Sequence, residues 1–546
     1  MTITLLMFLL VTTDGVAEDA LTEREKAQHV LNRLAFGPRP GEVDAVAELG
    51  VDRWIARQLN PSAIDDSAVV KKIEALETLS MSPEALFEKF EKPHLERRRE
   101  ARRETASGEP DSGMMAEARS RMTRNPASDD SRQKPLFELM AAKLIRSVES
   151  ERQLEEVLVD FWMNHFNVFA AKGPERALLP SFEYDVVRPN VWGSYEDLVL
   201  ATAKSPAMLV YLDNMRSVSE PDNRPETMTR SRWPSATNRR RGLGAQVEDR
   251  LAKAGMTGLN ENYARELMEL HTLGVEGGYA QEDVTELARI LTGWSAERPE
   301  AGGEFVFRSS LHDVESKIFL GVPFPGGGGI QEGERAIAML ASHPSTARHI
   351  ARKLCQRFVA DDPPAQLVDR VADVFLRTKG NLRSTVEAIV TSPEFFSPKS
   401  YRSKIKTPFE FVVSAVRAVD GETDGRFLAR SLRDMGMPPY LCQPPTGYSD
   451  VSEDWVSSAA FLDRVNFSIA LAAGSTPGTK AGLDSRSFEM SPDLIDVIAT
   501  ATMGGGVSDA TRTTIETRIA DEKLDRRRQA QLIAGLVLGS PEFQRQ

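Results

Sequence analysis

Apolar residues along most of the chain recur at the spacing of one face of an α-helix. Leu154, Val157, Leu158 and Phe161 follow the i, i+3, i+4, i+7 pattern, and His165 extends the same stripe. Three more stripes of this kind run through Tyr263, Leu267 and Leu270, through Val284, Leu287, Ala288 and Leu291, and through Leu367, Val371, Val374 and Phe375. The pattern predicts amphipathic helices that each bury one face in a core.

Residues typical of helix ends accompany these stripes. Gly380 follows the stripe that ends at Phe375 and is expected to end that helix in the left-handed conformation. Asn381 is expected to cap the next helix through its side-chain oxygen. Strand-like alternation is rare, and its best example, residues 304–308, predicts at most a small β-hairpin. We therefore predict an all-α fold, a large multi-helix globular assembly.

Two long segments interrupt the helical pattern, at about residues 92–134 and 217–257. Both are rich in charged residues, Gly, Ser and Pro and poor in large apolar residues. We interpret them as long charged surface insertions or partly disordered loops in a main helical domain at residues 18–403. The alternative is a basic patch for anionic glycans or a membrane surface. Residues 404–546 form a C-terminal helical region that is either a separate domain or part of the same core.

The first 17 residues resemble a secretion signal. An apolar run at residues 3–11 precedes the small residues Gly15, Val16 and Ala17, although no Lys or Arg stands before the run. A buried first helix is the alternative. No other stretch of about 18 uncharged apolar residues occurs, so no integral membrane span is expected. We expect an extracytoplasmic protein, periplasmic or secreted, after cleavage of the signal.

The amino-acid composition excludes some classes of function. Apolar residues make up 41% of the 546 residues and charged residues 27%, which is ordinary for a soluble globular protein. The net charge of −12 argues against a nucleic-acid partner. Two cysteines, Cys355 and Cys442, are too few for a zinc ribbon or a disulfide scaffold; they either pair or serve as small buried apolar residues.

The sequence motifs of common enzyme families are absent. The chain has no Walker A loop, no G-x-G-x-x-G, no H-E-x-x-H, no G-x-S-x-G and no C-x-x-C. Polar clusters within predicted helices remain as candidates. In the first cluster Asp160 and Asn164 share a helix face, whereas His165 lies on the apolar stripe and needs a hydrogen-bond partner or a metal there.

The second cluster follows Asn260. Asn262, Glu266 and Glu269 line one helical face, His271 stands at the edge of the core, and Arg265 is spaced to pair with Glu269. Carboxylates near a histidine suit a bound cation or general acid–base chemistry, and structural salt bridges explain the pattern equally well. The candidate catalytic residues are therefore His271, Glu266, Glu269, Arg265 and Asn262.

Two further clusters stand later in the chain. His312 and Asp313 are candidate metal ligands if loop geometry lets them converge. At His343 and Pro344 a helix begins that carries several arginines, which either hold an anion or pair with acidic neighbours. If a divalent metal is the cofactor, its candidate ligands are His165, Asp160, Glu266, Glu269, His271 and His312.

Together these segments resemble a bacterial family known as domain of unknown function 1800. The resemblance covers nearly the whole mature chain. It is carried by HVLNRLAFGPRPGEVDAV from His29, DFWMNHFNVF from Asp160, NENYARELMELHTLGVEGGYAQEDVTELARILTGW from Asn260, LHDVESKIFLG from Leu311, HPSTARHIARKLCQRFV from His343 and GNLRSTVEAIVTSPEFF from Gly380. KIKTPFEFVVSAVRA from Lys404 and the Pro-rich stretch around Gly436–Gly447 continue it.

The resemblance implies a helical, often exported protein. It also implies a partner, because relatives are often encoded beside an exported family with an alkaline-phosphatase-like or sulfatase-like fold. It implies no established activity, so no residue inherits a role. Two positions depart from the family pattern: Ala280 stands where a capping Thr is frequent, and Tyr448 stands where Trp is usual.

Three functions therefore compete. The first is a binding or accessory protein that acts with a phosphatase-like or sulfatase-like exported partner on a polymeric or surface substrate. The second is a metal-dependent hydrolase or oxidoreductase with a His/carboxylate site. The third is a helical scaffold whose polar clusters are buried ion-pair networks.

Overall fold

The computed structural model describes residues 20–107, 126–225, 258–298, 303–482, 491–520 and 524–546. Helices account for 61% of the structure, which confirms the predicted all-α class. The signal predicted at residues 1–17 lies outside the described residues. No helix within the described ranges is long and apolar enough to cross a membrane.

The N-terminal half of the chain is almost entirely helical. Its helices are α1 (Glu23–Arg33), α2 (Glu42–Leu49), α3 (Val51–Gln58), α4 (Ser67–Glu74), α5 (Pro83–Leu86), α6 (Lys92–Ser107), α7 (Pro126–Glu149), α8 (Gln153–His165), α9 (Glu175–Ser181), α10 (Tyr195–Lys204), α11 (Pro206–Tyr211) and α12 (Glu261–Glu269). Single π-helical turns, Phe87–Glu91 and Phe182–Val187, extend α5 and α9.

The C-terminal half is also mainly helical. Its helices are α13 (Gln281–Ile290), α14 (Ile330–Ala341), α15 (Pro344–Phe358), α16 (Ala365–Arg377), α17 (Leu382–Val390), α18 (Pro408–Ala418), α19 (Arg426–Asp434), α20 (Ser458–Ala472), α21 (Leu494–Met503), α22 (Asp509–Ala520) and α23 (Arg526–Leu538).

Three short antiparallel strand pairs join the helices. β1 (Trp294–Ala296) pairs with β2 (Phe305–Phe307), where a strand was predicted. The other two pairs are β3 (Lys317–Phe319) with β4 (Val322–Phe324), and β5 (Glu422–Thr423) with β6 (Thr479–Lys480). Their strands are only two or three residues long, too short for an alternating pattern to be recognised in the sequence.

Side-chain caps fix the ends of several helices. Asn381 accepts a hydrogen bond from the Ser384 amide and caps α17, as predicted. Gly380 has φ +75°, the left-handed conformation expected after α16. At α18, Thr407 and Glu410 form a reciprocal capping box, and Pro408 occupies the first helical position. This box sets the start of a helix that contributes to the candidate site.

One apolar cluster runs through the described residues, from Ala27 to Phe543. The region after residue 404 contributes to it through α18, α20, α21 and α23. Backbone pairing adds to this packing, because the Lys404 amide donates to the Gln546 carbonyl at 3.2 Å and Ile405 bridges Arg545. The described C-terminal helices therefore share the core of the preceding helices.

The first charged segment is helical at both ends. Residues 92–107 form α6 and residues 126–134 begin α7, so the loop interpretation is wrong for these parts. Residues 97–103 consist of Arg, Glu and Ala, which all favour helix. The prediction followed the high density of charge and gave too little weight to this helix propensity. Of the second segment, residues 217–225 are described and contain a short 3₁₀ turn, Pro221–Asn223. Residues 226–257 lie outside the described part of the chain.

Candidate functional site

A pocket opens between the C-terminal half of α8, the start of α18 and the irregular segment 437–455. The space between its walls is about 880 Å³ with open solvent included, of which about 60 Å³ admits the centre of a water molecule. Its aromatic lining consists of Phe161, Phe409, Tyr440, Tyr448 and Trp455, and its charged lining of Lys143, Asp160, Arg357, Lys404, Glu410 and Asp450. Apolar faces with a few converging polar groups are typical of small-ligand sites.

The polar atoms of the aromatic residues are hydrogen-bonded to the protein. The Tyr448 hydroxyl donates to the Pro438 carbonyl at 2.8 Å, and the Trp455 indole donates to the Ser449 carbonyl at 2.9 Å. The rings of Tyr448 and Trp455 lie 6.2 Å apart between centroids. These bonds fix the ring orientations, and both side chains are partly exposed.

Two asparagines near the end of α8 hold the segment that carries these rings. The Asn164 amide donates to the Tyr448 carbonyl at 2.8 Å and accepts from the Tyr448 amide at 2.7 Å. Asn167 donates to the Cys442 and Pro444 carbonyls at 3.0 and 2.8 Å. These four bonds couple the pocket wall to the helical core.

Gly447 allows this close approach. Its φ is +74°, and a β-carbon on it would lie 2.4 Å from the Asn164 carbonyl oxygen. Both the conformation and the space therefore require glycine. The Gly-Tyr pair thus has a structural basis: the glycine permits the contact with α8, and the tyrosine ring lines the pocket.

The charged groups of the lining form ion pairs. Lys143 lies 2.6 Å from Asp160, and its ammonium group stands over the Phe409 ring at 5.2 Å. Arg357 lies 2.5 Å from Glu410, and both side chains are less than a tenth exposed. Burial raises the pKa of Glu410, but the Arg357 guanidinium, hydrogen bonds from Gln546 and the Thr407 amide, and the Lys404 ammonium together lower this pKa to about 2. Glu410 is therefore ionised at neutral pH.

Two more pairs complete the charged part of the pocket. Lys404 forms an ion pair with Asp361 and donates to the Asp450 carbonyl at 3.2 Å. Lys353 lies 3.3 Å from the Asp450 carboxylate. Each of these cations therefore has an acidic partner. Every charged side chain that lines the pocket has a partner of opposite charge.

Three histidines lie in the core behind the pocket. The His165 ring centroid is 6.0 Å from that of His271 and 6.3 Å from that of His349. The His165 Nε2 atom lies 3.3 Å from both the Tyr195 hydroxyl and the His271 carbonyl. Burial, with Lys353 nearby, lowers the pKa of His165 well below its usual value, that of His271 to about 3 and that of His349 to about 4. All three are neutral at physiological pH.

The second predicted cluster divides between two environments. α12 ends at Glu269, so His271 lies in the following turn and enters the core, whereas Glu266 and Glu269 remain on the half-exposed helix face. Burial raises the pKa of Glu266, with a further contribution from Glu269. Arg265 donates to Gln281 at 2.7 Å and does not pair with Glu269, because Gln281 begins the adjacent α13. The amide of Asn262 is capped by Asn260.

His312 belongs to a separate buried network. Its Nδ1 atom donates to the Thr292 carbonyl at 2.9 Å, and its Nε2 atom lies 3.4 Å from Glu332. Lys317 bonds Glu332 at 2.7 Å, and Asp313 pairs with Arg289 at 2.9 Å. These contacts satisfy buried charges with one another, which is a structural arrangement.

The six metal-ligand candidates therefore do not converge. His165 and His271 adjoin in the core, Asp160 pairs with Lys143, and His312 lies in its own network. Within the described ranges, no group of three or more His, Cys, Asp or Glu side chains has an arrangement that could hold a metal ion. Sequence spacing had placed these side chains together, but the end of α12 turns His271 away from the carboxylates.

The arginines that follow His343 form ion pairs with acidic neighbours. Arg348 pairs with Asp369 and Arg352 with Asp362. Within α15 the His343 side chain accepts from the Ser345 amide at 3.1 Å and caps the helix itself. The end of α15 that could have held an anion is thus occupied by its own residues.

The two cysteines are unpaired and buried. Burial raises the pKa of the Cys355 thiol to about 12 and that of Cys442 to about 11. They are small apolar residues of the core, one of the two alternatives that the sequence left open.

Several pocket residues were missed at the sequence level. These are Lys143, Lys404, Glu410 and Trp455, which belong to four separate elements and stand in no catalytic or ligand-binding motif. A usable signal was the T-P-F-E capping box at Thr407, which places a carboxylate at a helix start next to two lysines.

The comparisons with known proteins identify the family. The model of the family described as "Protein of unknown function (DUF1800)" matches residues 29–545. Because the match spans nearly all of the chain, the protein belongs to this family. No curated protein and no solved structure matches it.

Proposed function

We propose that this member of the DUF1800 family is an extracytoplasmic binding protein whose pocket holds a small ligand with an apolar or ring-shaped part and polar substituents. One observation carries the proposal: five aromatic side chains and six charged side chains converge on a single pocket between α8, α18 and residues 437–455. Aromatic faces bind rings and chains, and fixed polar groups select their substituents.

Binding fits the pocket's electrostatics better than acid–base catalysis does. A general acid or base works best with a pKa near the operating pH. Glu410 has a pKa of about 2 and is held by Arg357, so it serves as a fixed charge. His165 and His271, whose imidazole groups could have carried a proton, lie in the core as neutral groups.

Export and a partner protein complete the proposal. Export is supported by the apolar run at residues 3–11 and the small residues that follow it. The proposed partner is an exported protein of phosphatase-like or sulfatase-like fold, and the complex acts on a polymeric or surface substrate. Cell fractionation with N-terminal sequencing of the mature chain, and co-purification with that partner at several times micromolar concentration, test these two parts separately.

The pocket itself is tested by removing one aromatic face. Trp455→Ala is expected to weaken binding of ligands from a metabolite and oligosaccharide library about tenfold, the loss expected for one stacking contact of roughly 1.4 kcal/mol. Phe461→Ala is the matched control, since Phe461 is 44% exposed and lies on α20 outside the pocket lining. Equal loss in both variants, or binding that neither variant changes, contradicts the pocket assignment.

A further inference from the structure

Buried positive charge exceeds buried negative charge at one end of the pocket. The carboxylates there are Glu410, paired with Arg357, the partly exposed Asp361, paired with Lys404, and Asp450, paired with Lys353. Three more cations interact electrostatically with Glu410, namely Arg33, Lys406 and Arg464. None of the three forms an ion pair with a carboxylate in the described part of the chain.

These three cations are almost completely enclosed. Their exposed fractions are 0% for Arg33, 1% for Arg464 and 3% for Lys406. Arg33 donates to the Ser400 carbonyl and the Ser403 hydroxyl through Nη2, but its Nε and Nη1 atoms make no hydrogen bond to the described residues. The Nε and Nη2 atoms of Arg464 likewise make none. The Lys406 ammonium stands 3.9 Å above the Phe543 ring.

Enclosed cations without counter-charges are costly in free energy, because they lose hydration and repel one another. The pKa values of these side chains reflect this cost. Burial lowers the pKa of Arg33 to about 9, that of Arg464 to about 10 and that of Lys406 to about 7. A negative charge brought to this end of the pocket would relieve the repulsion.

The pocket reaches this cluster directly. Arg357, Lys404 and Thr407 line both the pocket and the cation-rich end, and Thr407 begins α18. The other two lining carboxylates, Asp160 and Asp450, are already paired with Lys143 and Lys353, so they do not favour a cationic ligand. The lining charges balance, so the surplus of positive charge near the start of α18 comes from Arg33, Lys406 and Arg464 behind the lining.

We propose that the ligand is an organic anion, whose carboxylate or phosphate group binds beside Arg357 and Lys404 while its apolar or ring-shaped part lies against Tyr448 and Trp455. This inference rests on the proposed ligand-binding function and specifies the class of ligand. Arg33, Lys406 and Arg464 do not contact the anion; they strengthen the field at its position. They are positioning charges behind the two lining cations.

Lys406 provides a variant in which stability and binding change in opposite directions. At pH 6, below the Lys406 pKa of about 7, Lys406→Met removes a buried charge that has no carboxylate partner and nearly conserves volume, so the melting temperature should rise. Anion affinity should fall several-fold, because the field weakens. A purely structural lysine would change stability without this loss of affinity. Arg352→Gln is the control, because Arg352 is 60% exposed on α15, the helix that carries Arg357.

Calorimetry on the full mature chain with matched probes decides the question. The probes are D-glucuronate and phenyl phosphate, each beside its neutral counterpart, D-glucose and phenol. We expect one of the anions to bind at least tenfold more tightly than its neutral counterpart, and which anion binds distinguishes a carboxylate from a phosphate ligand. Lys404→Met should abolish this preference, and Lys406→Met should reduce it.

The outcomes separate the two proposals. Equal binding of anion and neutral counterpart overturns the anion assignment and leaves the ligand pocket intact. Anion binding that Lys406→Met does not weaken, in a variant whose melting temperature rises, also overturns it. Failure of all four probes at millimolar concentration, together with an unchanged response to the library used for Trp455→Ala, refutes the binding function itself.

Discussion

Lowering the pH from 7 to 5.5 should destabilise the folded protein strongly. His29, His271 and His349 have pKa values of about 3, 3 and 4, because burial disfavours their charged forms. In the unfolded chain each titrates near 6.5. The unfolded state therefore binds more protons as the pH falls below 6.5, and stability that is present above this pH is lost towards the folded-state values.

The magnitude follows from this difference. Between pH 7 and 5.5 each such histidine lowers the free energy of unfolding by about 1.3 kcal/mol, so the three together contribute roughly 4 kcal/mol. His165 acts in the same direction, since its pKa also lies well below the usual value. Glu175 opposes them in part, because burial raises its pKa well above 4.5 and keeps its protonated form in the folded protein.

Urea denaturation at pH 7.0, 6.25 and 5.5 measures this loss. In His271→Leu the drop between pH 7 and 5.5 should shrink by about 1.3 kcal/mol, because one titrating group has gone. Phe461→Leu, a change at an exposed residue that does not titrate, should leave the drop unchanged. A drop in His271→Leu equal to that of the wild type would refute the assignment of His271 as a buried neutral group.

Three further predictions follow from the contacts. Asn164→Ala should lower the free energy of unfolding, measured by urea denaturation, by about 2 kcal/mol, because two hydrogen bonds to Tyr448 are lost. The control Asn190→Ala loses one bond to the Val186 carbonyl and should lower the free energy of unfolding by about half as much. Lys317→Met should cost about 3–5 kcal/mol in the same assay, because Glu332 is left without its lysine partner, and a smaller loss would show that Glu332 becomes solvated. Neither cysteine should react with a thiol reagent in the native protein, whereas both should react in urea; fast labelling of the native protein would contradict the burial of Cys355.

Local periodicity explains what could be predicted from the sequence. The stripe from Leu154 to His165 is buried as expected, and Asn381 caps α17, because these features depend on residues within one or two helical turns. The charge-rich residues 92–107 were misjudged since the same Arg and Glu side chains suit a solvated loop and an exposed helix. Burial, which distinguishes the two, is not a local property.

The pocket could not be predicted from local periodicity. Its lining residues come together only because α7, α8, α15 and the segments around α18 meet in the fold. Examples are Lys143, Asp160, Arg357, Lys404 and Trp455. Their sequence separations range from 17 to about 300 residues, and no spacing rule links them. The charge surplus near Glu410 is likewise hidden, because the overall net charge is negative.

The stretch from Asp160 to His165 shows how closely core and pocket are connected. Asp160 and Asn164 are four residues apart and face the pocket, where one pairs with Lys143 and the other holds Tyr448. His165, one residue further, is rotated by about 100° and lies in the core beside His271. The same helix therefore supplies a binding face and a stabilising face. A substitution at Asn164 should alter ligand affinity through Tyr448, and one at His165 should act on stability and its pH dependence.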